Sequence, residues 1–328
     1  MEAGIFSFSE YCGRDVHRIY GSRKGTSSML EFLTDNLRAA LRYVNINLIY
    51  EMRLRAGRPV VVSFRGNYVF LGEHGITDKL ADALVCSYAD IEMIIERVSE
   101  FSVYSVTEQM KQGFLTGACG ERIGLAGAFV YENGAPSAIR EITSLNIRIP
   151  HEVKGAAGVL FSERFAKGIE SCLIFSPPGR GKTTILRDLV RMISEKYRIN
   201  ILIDDERNEI SAAYKDFSLD VGAFCDVLRY AYKRDAMEVA VRTMRPDLIL
   251  MDELANDDEV RLCISCIRSG VSVIASAHCK NFESLRRAAA FSRAIEERAF
   301  DSYVELDSAG IGQIAHIYDA DARCIYGT

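Results

Sequence analysis

The chain has 328 residues, of which 48% are hydrophobic and 26% are charged, with a formal net charge of −5. This acidic balance disfavours a protein built mainly to coat nucleic acid, although it leaves room for a local basic stripe. The length predicts two domains, because single hydrophobic cores rarely grow beyond ~250–300 residues.

Residues 1–150 predict a small α+β domain. The start at Met1 lacks the basic and apolar segments of a signal peptide. Ile91, Ile94, Ile95 and Val98 share one face of a helix predicted over 91–99, which we expect Asp90 to cap. Short runs between turn residues predict strands at Met52–Leu54, Val60–Phe64, Tyr68–Leu71, Gly113–Thr116, Arg122–Tyr131 and Ser137–Ile142, the last two joined at Asn133 and Gly134.

Residues 151–328 alternate between strand, loop and helix. Continuous apolar runs at Cys172–Phe175, Ile201–Ile203, Leu248–Met251 and Val271–Ala275 are typical of strands buried on both faces of a parallel sheet. Stretches 183–196 and 234–244 predict the crossover helices. The second domain is therefore predicted to be α/β with a mostly parallel sheet. All apolar runs are far shorter than the ~20 residues needed to cross a bilayer, so any membrane association is expected through a partner.

The segment between the first of these strands and its helix has the form of a phosphate-binding loop. Its glycines and the following helix can surround a β-phosphate with backbone N–H groups, while Lys182 reaches the β- and γ-phosphates and Thr183 binds Mg²⁺. Ser176 stands where the motif usually begins with glycine, and we expect it to restrict the turn. The predicted ATP-binding residues are Ser176, Pro177, Pro178, Gly179, Arg180, Gly181, Lys182, Thr183 and Thr184.

Acidic residues follow two of the predicted strands. Asp252 and Glu253 end the run Leu248–Met251 in the manner of a Walker B strand. Asp252 is expected to bind Mg²⁺ and Glu253 to polarise the attacking water. The run Ile201–Ile203 precedes an acidic segment that includes Glu206 and Glu209, and carboxylates so close together need a cation, a proton or solvent. His278 ends the next strand, where its side chain is placed to sense a γ-phosphate.

The cysteines predict reduced thiols in a cytosolic protein, since they are scattered and odd in number. Cys263 and Cys266 match C-x-x-C, but no second pair stands at zinc-finger spacing, so we interpret them as helix-packing residues. The nine positions are Cys12, Cys86, Cys119, Cys172, Cys225, Cys263, Cys266, Cys279 and Cys324.

Together these motifs resemble the stage III sporulation AA family of secretion-type ATPases, relatives of the motors of type II secretion and type IV pili. The resemblance spans most of the chain and depends on the order and spacing of its segments. One departure is Leu254–Asn256, where secretion ATPases usually carry an arginine-containing triplet. The matching segments are Glu51–Pro59, Glu73–Thr77, Gly120–Gly127, Arg140–Arg148, Asp205–Ile210, Arg242–Asp247 and Ser276–His278.

The resemblance implies a RecA-like ATPase domain behind a PAS-like N-terminal domain, assembled as a ring, with a hexamer the expected form. It also implies an ATP-hydrolysing motor at a membrane-embedded sporulation channel, cytoplasmic and on the mother-cell side of the forespore membrane. In such rings, arginines of the N-terminal domain approach the phosphates, and Arg122, Arg140 and Arg148 are the candidates. The carboxylate of the acidic box is either Glu206 or Glu209.

Two other classes of protein use the same loop. A nucleic-acid-associated ATPase would need a basic footprint, whereas Asp301–Thr328 carries one arginine and no lysine. A small-molecule kinase would need an acceptor pocket and an arginine-rich lid, whereas Glu253 suits water activation. We therefore expect nucleic acid not to be a partner, and we rank both classes below the motor.

Overall fold

The computed structural model describes residues 29–99, 109–213, 217–231, 233–308 and 310–327. The start at Met1 and Cys12 lie outside these ranges. Contacts within the chain separate two compact units: one comprises Met1–Gly117 and Arg122–Ile149, and the other comprises Ala118–Glu121 and Pro150–Thr328. No helix in the described ranges is long and apolar enough to span a bilayer.

The first unit is built on a seven-stranded sheet in the order β5-β4-β3-β1-β9-β8-β7, whose pairs are antiparallel. Its core contains Met52, Leu54, Ile91 and Ile147, all fully buried. The elements are α1 (Asp35–Leu41), β1 (Ile49–Arg55), β2 (Arg58–Pro59), β3 (Val61–Phe64), β4 (Asn67–Gly72), β5 (Gly75–Thr77), β6 (Val85–Cys86), α2 (Tyr88–Ser99), β7 (Phe114–Thr116), β8 (Arg122–Glu132) and β9 (Ala135–Arg148). All predicted strands of this half are present.

The prediction that Asp90 caps a helix beginning at 91 is wrong. Helix α2 begins at Tyr88, and Ser87 precedes it. The Asp90 carboxylate accepts hydrogen bonds from the Ser87 N–H at 2.8 Å and the Ser87 hydroxyl at 2.7 Å, while the Asp90 N–H donates to Ser87 Oγ at 3.0 Å. This reciprocal pair is a capping box, in which the serine three residues earlier is the cap.

The turn predicted between β8 and β9 is confirmed. Asn133 and Gly134 have φ values of +51° and +79°, and Glu132 pairs with Ala135. A two-residue loop with both residues in the left-handed region forms the turn whose twist matches that of the two hairpin strands.

The second unit contains an eight-stranded sheet in the order β12-β11-β13-β14-β10-β15-β16-β17. The strands from β12 to β15 in this order are parallel, which confirms the predicted parallel sheet, and β16 and β17 are antiparallel additions. The strands are β10 (Cys172–Ser176), β11 (Ile201–Asp205), β12 (Cys225–Arg229), β13 (Leu248–Leu254), β14 (Ser272–His278), β15 (Ser302–Leu306), β16 (Ile314–Asp319) and β17 (Cys324–Tyr326).

Helices cover this sheet through two apolar clusters. Cys263 and Cys266 are both buried in the helix Asp257–Arg268, which confirms their interpretation as packing residues. Burial raises the pKa of both thiols. The helices are α3 (Gly158–Leu160, continued by a π-helical turn over Phe161–Phe165), α4 (Lys182–Tyr197), α5 (Lys233–Val239, continued over Ala240–Met244), α6 (Asp257–Arg268), α7 (Phe282–Arg287) and α8 (Ala289–Glu296).

Candidate active site

The loop between β10 and α4 has the backbone of a phosphate-binding loop. Gly179 and Gly181 have φ values of +74° and +87°, a backbone region that residues with a Cβ rarely adopt. Ser176 is instead an ordinary, fully buried residue at the end of β10. The left-handed positions of the turn that need glycine are therefore 179 and 181, and the effect of Ser176 on the turn stays a prediction.

A second loop, between β15 and β16, packs against this turn. The Gly312 N–H donates a hydrogen bond to the Arg180 carbonyl at 3.0 Å. A Cβ added to Gly181 would lie 3.1 Å from the Gly312 nitrogen. Gly181 is thus required both by its φ and by the close approach of a neighbouring backbone.

The side chain of Lys182 is buried at the carboxyl ends of β10 and β14. Its ammonium lies 2.9 Å from His278 Nδ1 and 3.3 Å from the Ser176 carbonyl. Burial lowers the pKa of Lys182, an effect opposed by the charges of Asp252 and Glu253. Because an ammonium only donates, Nδ1 is the acceptor, and the ring proton lies on Nε2, which faces Glu253 Oε1 at 3.4 Å. The predicted proximity of His278 and the loop is therefore observed.

Asp252 and Glu253 lie at an irregularity of β13, where its register with β14 shifts between Met251 and Leu254. Glu253 has a φ of +43°, an uncommon conformation for a residue with a side chain. Ser276 organises the pair, since its hydroxyl donates to Asp252 Oδ1 at 3.1 Å and accepts from the Glu253 N–H at 3.0 Å. In the sequence, Ser276 belongs to the segment Ser276–His278 that matches the family, but nothing there indicates a contact with Asp252 or Glu253.

The electrostatics of Asp252 suit a cation. Its pKa is raised chiefly by burial, and the carboxylates of Asp205, Glu209 and Glu253 raise it further, against a hydrogen bond from Ser276. Among the residues described, no cluster of three or more His, Cys, Asp and Glu side chains could hold a metal by itself. A cation at Asp252 would therefore share its coordination with another ligand, as Mg²⁺ does with nucleotide phosphates.

Asp205 anchors the acidic segment rather than facing a ligand. Its carboxylate accepts hydrogen bonds from the N–H groups of Glu209, Ile210 and Ser211 at 2.8, 3.1 and 2.8 Å, and from the Ser211 hydroxyl at 2.7 Å. From the other side, buried Arg187 of α4 donates to the Glu209 carbonyl at 2.6 Å and also to the Ile210 carbonyl. The two side chains fix this loop against the helix that follows the phosphate-binding loop.

Replacing Asp205 with alanine should destabilise the protein by at least ~3 kcal/mol, because several buried donors lose their acceptor. Urea unfolding measures this change. Asp226→Ala is the control, since Asp226 is an exposed acid on the neighbouring strand β12. Equal unfolding midpoints for the two variants would contradict the anchoring role.

Asp204 is the residue before this anchor, and it is fully buried with no hydrogen-bond partner on either carboxylate oxygen. Burial raises its pKa from 3.8 to about 7, with Lys233 opposing the rise and the neighbouring carboxylates adding to it. Lys233 is itself buried and lies 2.7 Å from Glu206 Oε2. Glu206 is thus held by a buried lysine.

Asp204→Asn should stabilise the protein more at pH 8 than at pH 5. An acid whose pKa is higher in the folded state destabilises the protein once the unfolded form ionises. For Asp204 this destabilisation grows from about pH 3.8 and is complete above about pH 7. The gain should therefore be roughly 2–3 kcal/mol larger at pH 8. Urea unfolding without Mg²⁺ and nucleotide measures it, with Asp226→Asn as the control. An equal gain at both pH values would contradict the assignment.

Arg207 was not predicted from the sequence as a site residue, although it lies within the acidic segment. Its Nη1 atom is 3.0 Å from Glu253 Oε2. The Glu253 carboxylate is therefore placed between Arg207 on one side and His278 on the other. Only the folded chain brings these residues together, because Arg207 follows β11, Glu253 lies near the end of β13 and His278 ends β14.

The three arginines predicted to act on phosphates belong to the first unit. Arg122 and Arg148 are direct partners across the β8–β9 pair, and the Arg122 guanidinium lies 4.6 Å from the Phe114 ring centroid. Arg140 is exposed farther along β9, where it pairs with Ala128. The strands therefore bring Arg122 and Arg148 together and leave Arg140 apart.

The fold of this chain resembles that of solved RecA-like secretion ATPases. The solved structure of the Legionella pneumophila ATPase DotB is similar, with a TM-score of 0.56 and 15% identity over 85% of this chain and 78% of that chain. The pilus retraction motor PilT with bound ADP has a TM-score of 0.56 and 15% identity over 82% of this chain and 76% of that chain.

The family described as "Sporulation stage III, protein AA" has a model that matches residues 23–325, and the chain belongs to this family. The chain is 35% identical over 287 residues to stage III sporulation protein AA of Bacillus subtilis (strain 168), a match that covers 85% of this chain and 90% of that protein. A shorter match, 29% identical over 148 residues, is to the protein SEEDLING PLASTID DEVELOPMENT 1 of Arabidopsis thaliana and covers 43% of this chain and 21% of that protein. The resemblance noted from the motifs is confirmed.

Proposed function

We propose that this protein is a Mg²⁺-dependent ATPase. The observation that carries the proposal is the connected row of Lys182, His278 and Glu253 at the carboxyl ends of three neighbouring parallel strands. A phosphate-binding lysine, a γ-phosphate sensor and a carboxylate for water are the parts that hydrolysis of a nucleoside triphosphate needs. Similarity to a motor with bound ADP supports an adenine nucleotide as the ligand.

Each residue has a role in this proposal. The loop Ser176–Thr184 and Lys182 bind the phosphates of ATP, and Glu253 accepts a proton from the attacking water and orients it. Thr183 and Asp252 hold Mg²⁺, which neutralises charge on the phosphates when bound. His278, which contacts both Lys182 and Glu253, links phosphate binding to the carboxylate.

The acidic segment offers two carboxylates with different surroundings. Glu206 pairs with Lys233, whereas the charge of Glu209 is among the causes that raise the pKa of Asp252. We therefore propose that Glu209 acts near the Mg²⁺ that Asp252 binds. Glu206, which is paired with Lys233, then assists Glu253 indirectly.

We further infer an arrangement in which residues 1–150 form a PAS-like domain, residues 151–328 form the ATPase domain, and subunits assemble as a hexameric ring. Arg122 and Arg148 support this arrangement. They are direct partners across β8 and β9, and we propose that both bind the phosphates of a neighbouring subunit's nucleotide. Arg140 remains a third candidate.

Membership of the sporulation family supports a cellular role for this motor. We infer that ATP hydrolysis does mechanical work on membrane-embedded proteins of a channel between mother cell and forespore. The protein would then be peripheral to that assembly, on its cytoplasmic, mother-cell side.

Hydrolysis and assembly can be tested on the purified full-length protein. Phosphate release from ATP should require Mg²⁺ and stop in EDTA, and solution mass measured by light scattering should rise towards a hexamer with non-hydrolysable ATP. A strict monomer under both conditions would contradict the ring. A phosphate release equal to the blank would contradict the ATPase.

A further inference from the structure

The geometry points to Arg207 as a catalytic arginine that the chain supplies to its own nucleotide. This inference rests on the proposed ATP hydrolysis. The residue occupies the loop after β11, and its guanidinium lies 3.0 Å from the carboxylate of Glu253. The arginines implied by the family resemblance lie elsewhere in the chain, in the first unit.

Two side chains, His278 and Glu253, connect Arg207 to the phosphate-binding lysine. From the phosphate-binding lysine, the row runs from Lys182 Nζ to His278 Nδ1 at 2.9 Å, and from His278 Nε2 to Glu253 Oε1 at 3.4 Å. Arg207 Nη1 then follows at 3.0 Å from Glu253 Oε2. The guanidinium therefore contacts the same carboxylate that would orient the attacking water.

The backbone of Arg207 is held on both sides while its head is exposed. The preceding Asp205 accepts the N–H groups of the following loop, and the Asn208 N–H donates to the Asp205 carbonyl at 3.0 Å. The side chain of Arg207 is nonetheless 56% exposed. A fixed base with an exposed guanidinium lets the head move by a rotamer change without moving the loop.

The cations around the site differ in what holds them. Lys182 belongs to the phosphate-binding loop, Lys233 is buried against Glu206, and Arg187 is buried against backbone carbonyls. Arg207 instead faces the carboxylate assigned to the water. A phosphate carries more negative charge than one carboxylate and matches a guanidinium in two-point hydrogen bonding. When ATP binds, Arg207 therefore exchanges Glu253 for a γ-phosphate oxygen, which frees the carboxylate for water and stabilises the charge that develops during transfer.

The test measures ATP hydrolysis and ligand affinity for Arg207→Ala and Arg207→Lys. For Arg207→Ala we expect kcat to fall at least ~100-fold with KM within about threefold, at the conservative end of what a catalytic arginine contributes. Affinity for ADP should be unchanged, whereas affinity for ADP with aluminium fluoride should fall at least ~30-fold, because only the transition-state mimic uses the arginine. Arg207→Lys should recover only part of both losses. Arg261→Ala, which removes an exposed arginine from α6, is the matched control.

An unchanged or increased kcat in Arg207→Ala, with equal affinity for the transition-state mimic, would overturn the inference and leave Arg207 as a restraint on Glu253. That result would leave the ATPase proposal intact, because the wild-type protein would still hydrolyse ATP. A wild-type protein that fails to hydrolyse ATP would overturn both.

Discussion

Glu253→Gln should reduce the kcat of ATP hydrolysis by at least ~100-fold while leaving ATP affinity within a few-fold of wild type. The amide keeps the size of the side chain, but it loses the basic oxygen that accepts a proton from water. Binding should persist because Lys182 and the glycine loop are untouched. Steady-state phosphate release gives kcat, and equilibrium binding of a fluorescent ATP analogue gives affinity.

The control for this change is Glu283→Gln, on α7. Glu283 is an exposed acid paired with Arg287 on the same helix, so its replacement should alter neither quantity. If the two variants hydrolysed ATP at the same rate, Glu253 would not be the residue that activates water.

Lys182→Ala should abolish measurable nucleotide binding, with a loss of at least ~100-fold in affinity for ATP and ADP. The ammonium is buried at the centre of the site, and the low dielectric there strengthens its attraction for phosphates. Because burial lowers the pKa of Lys182, its charge is costly to the protein without a ligand. The variant should therefore bind nucleotide poorly because it lacks the charge, and it should remain folded. Circular dichroism can check that the fold is retained.

Lys280→Ala tests whether this loss is specific. Lys280 is exposed two residues beyond His278 and is close in sequence to the same strand end. It should bind ATP as the wild type does. Comparable losses in both variants would indicate a general electrostatic effect and contradict the assigned role of Lys182.

Four largely buried strands of the second unit were predicted from their continuous apolar runs. Leu248–Met251 is fully buried in β13, and such a continuous apolar run is typical of a strand covered on both faces. The buried strand β15 was not predicted, because Ser302 and Glu305 interrupt its apolar run. Strand β12 was missed because Cys225–Arg229 mixes exposed and half-buried residues at the sheet edge and lacks a continuous apolar run. Antiparallel β16 was missed because only Ile317 in it is fully buried.

The candidate site was predictable as far as topology determines it. Parallel strands bring their carboxyl ends to one edge, so residues 182, 252, 253 and 278 converge whatever their rotamers. Contacts that depend on loop direction were not predictable. The same acidic segment contains an anchor at Asp205, a lysine partner at Glu206 and a partner of Glu253 at Arg207, and the order of residues does not distinguish these roles.

The most direct test identifies the nucleotide recovered from each protein after incubation with Mg²⁺ and labelled ATP. The wild type should return ADP, Glu253→Gln should return intact ATP, and Lys182→Ala should return neither above background. Intact ATP from the wild type, or equal nucleotide from wild type and Lys182→Ala, would contradict an ATPase built on this loop.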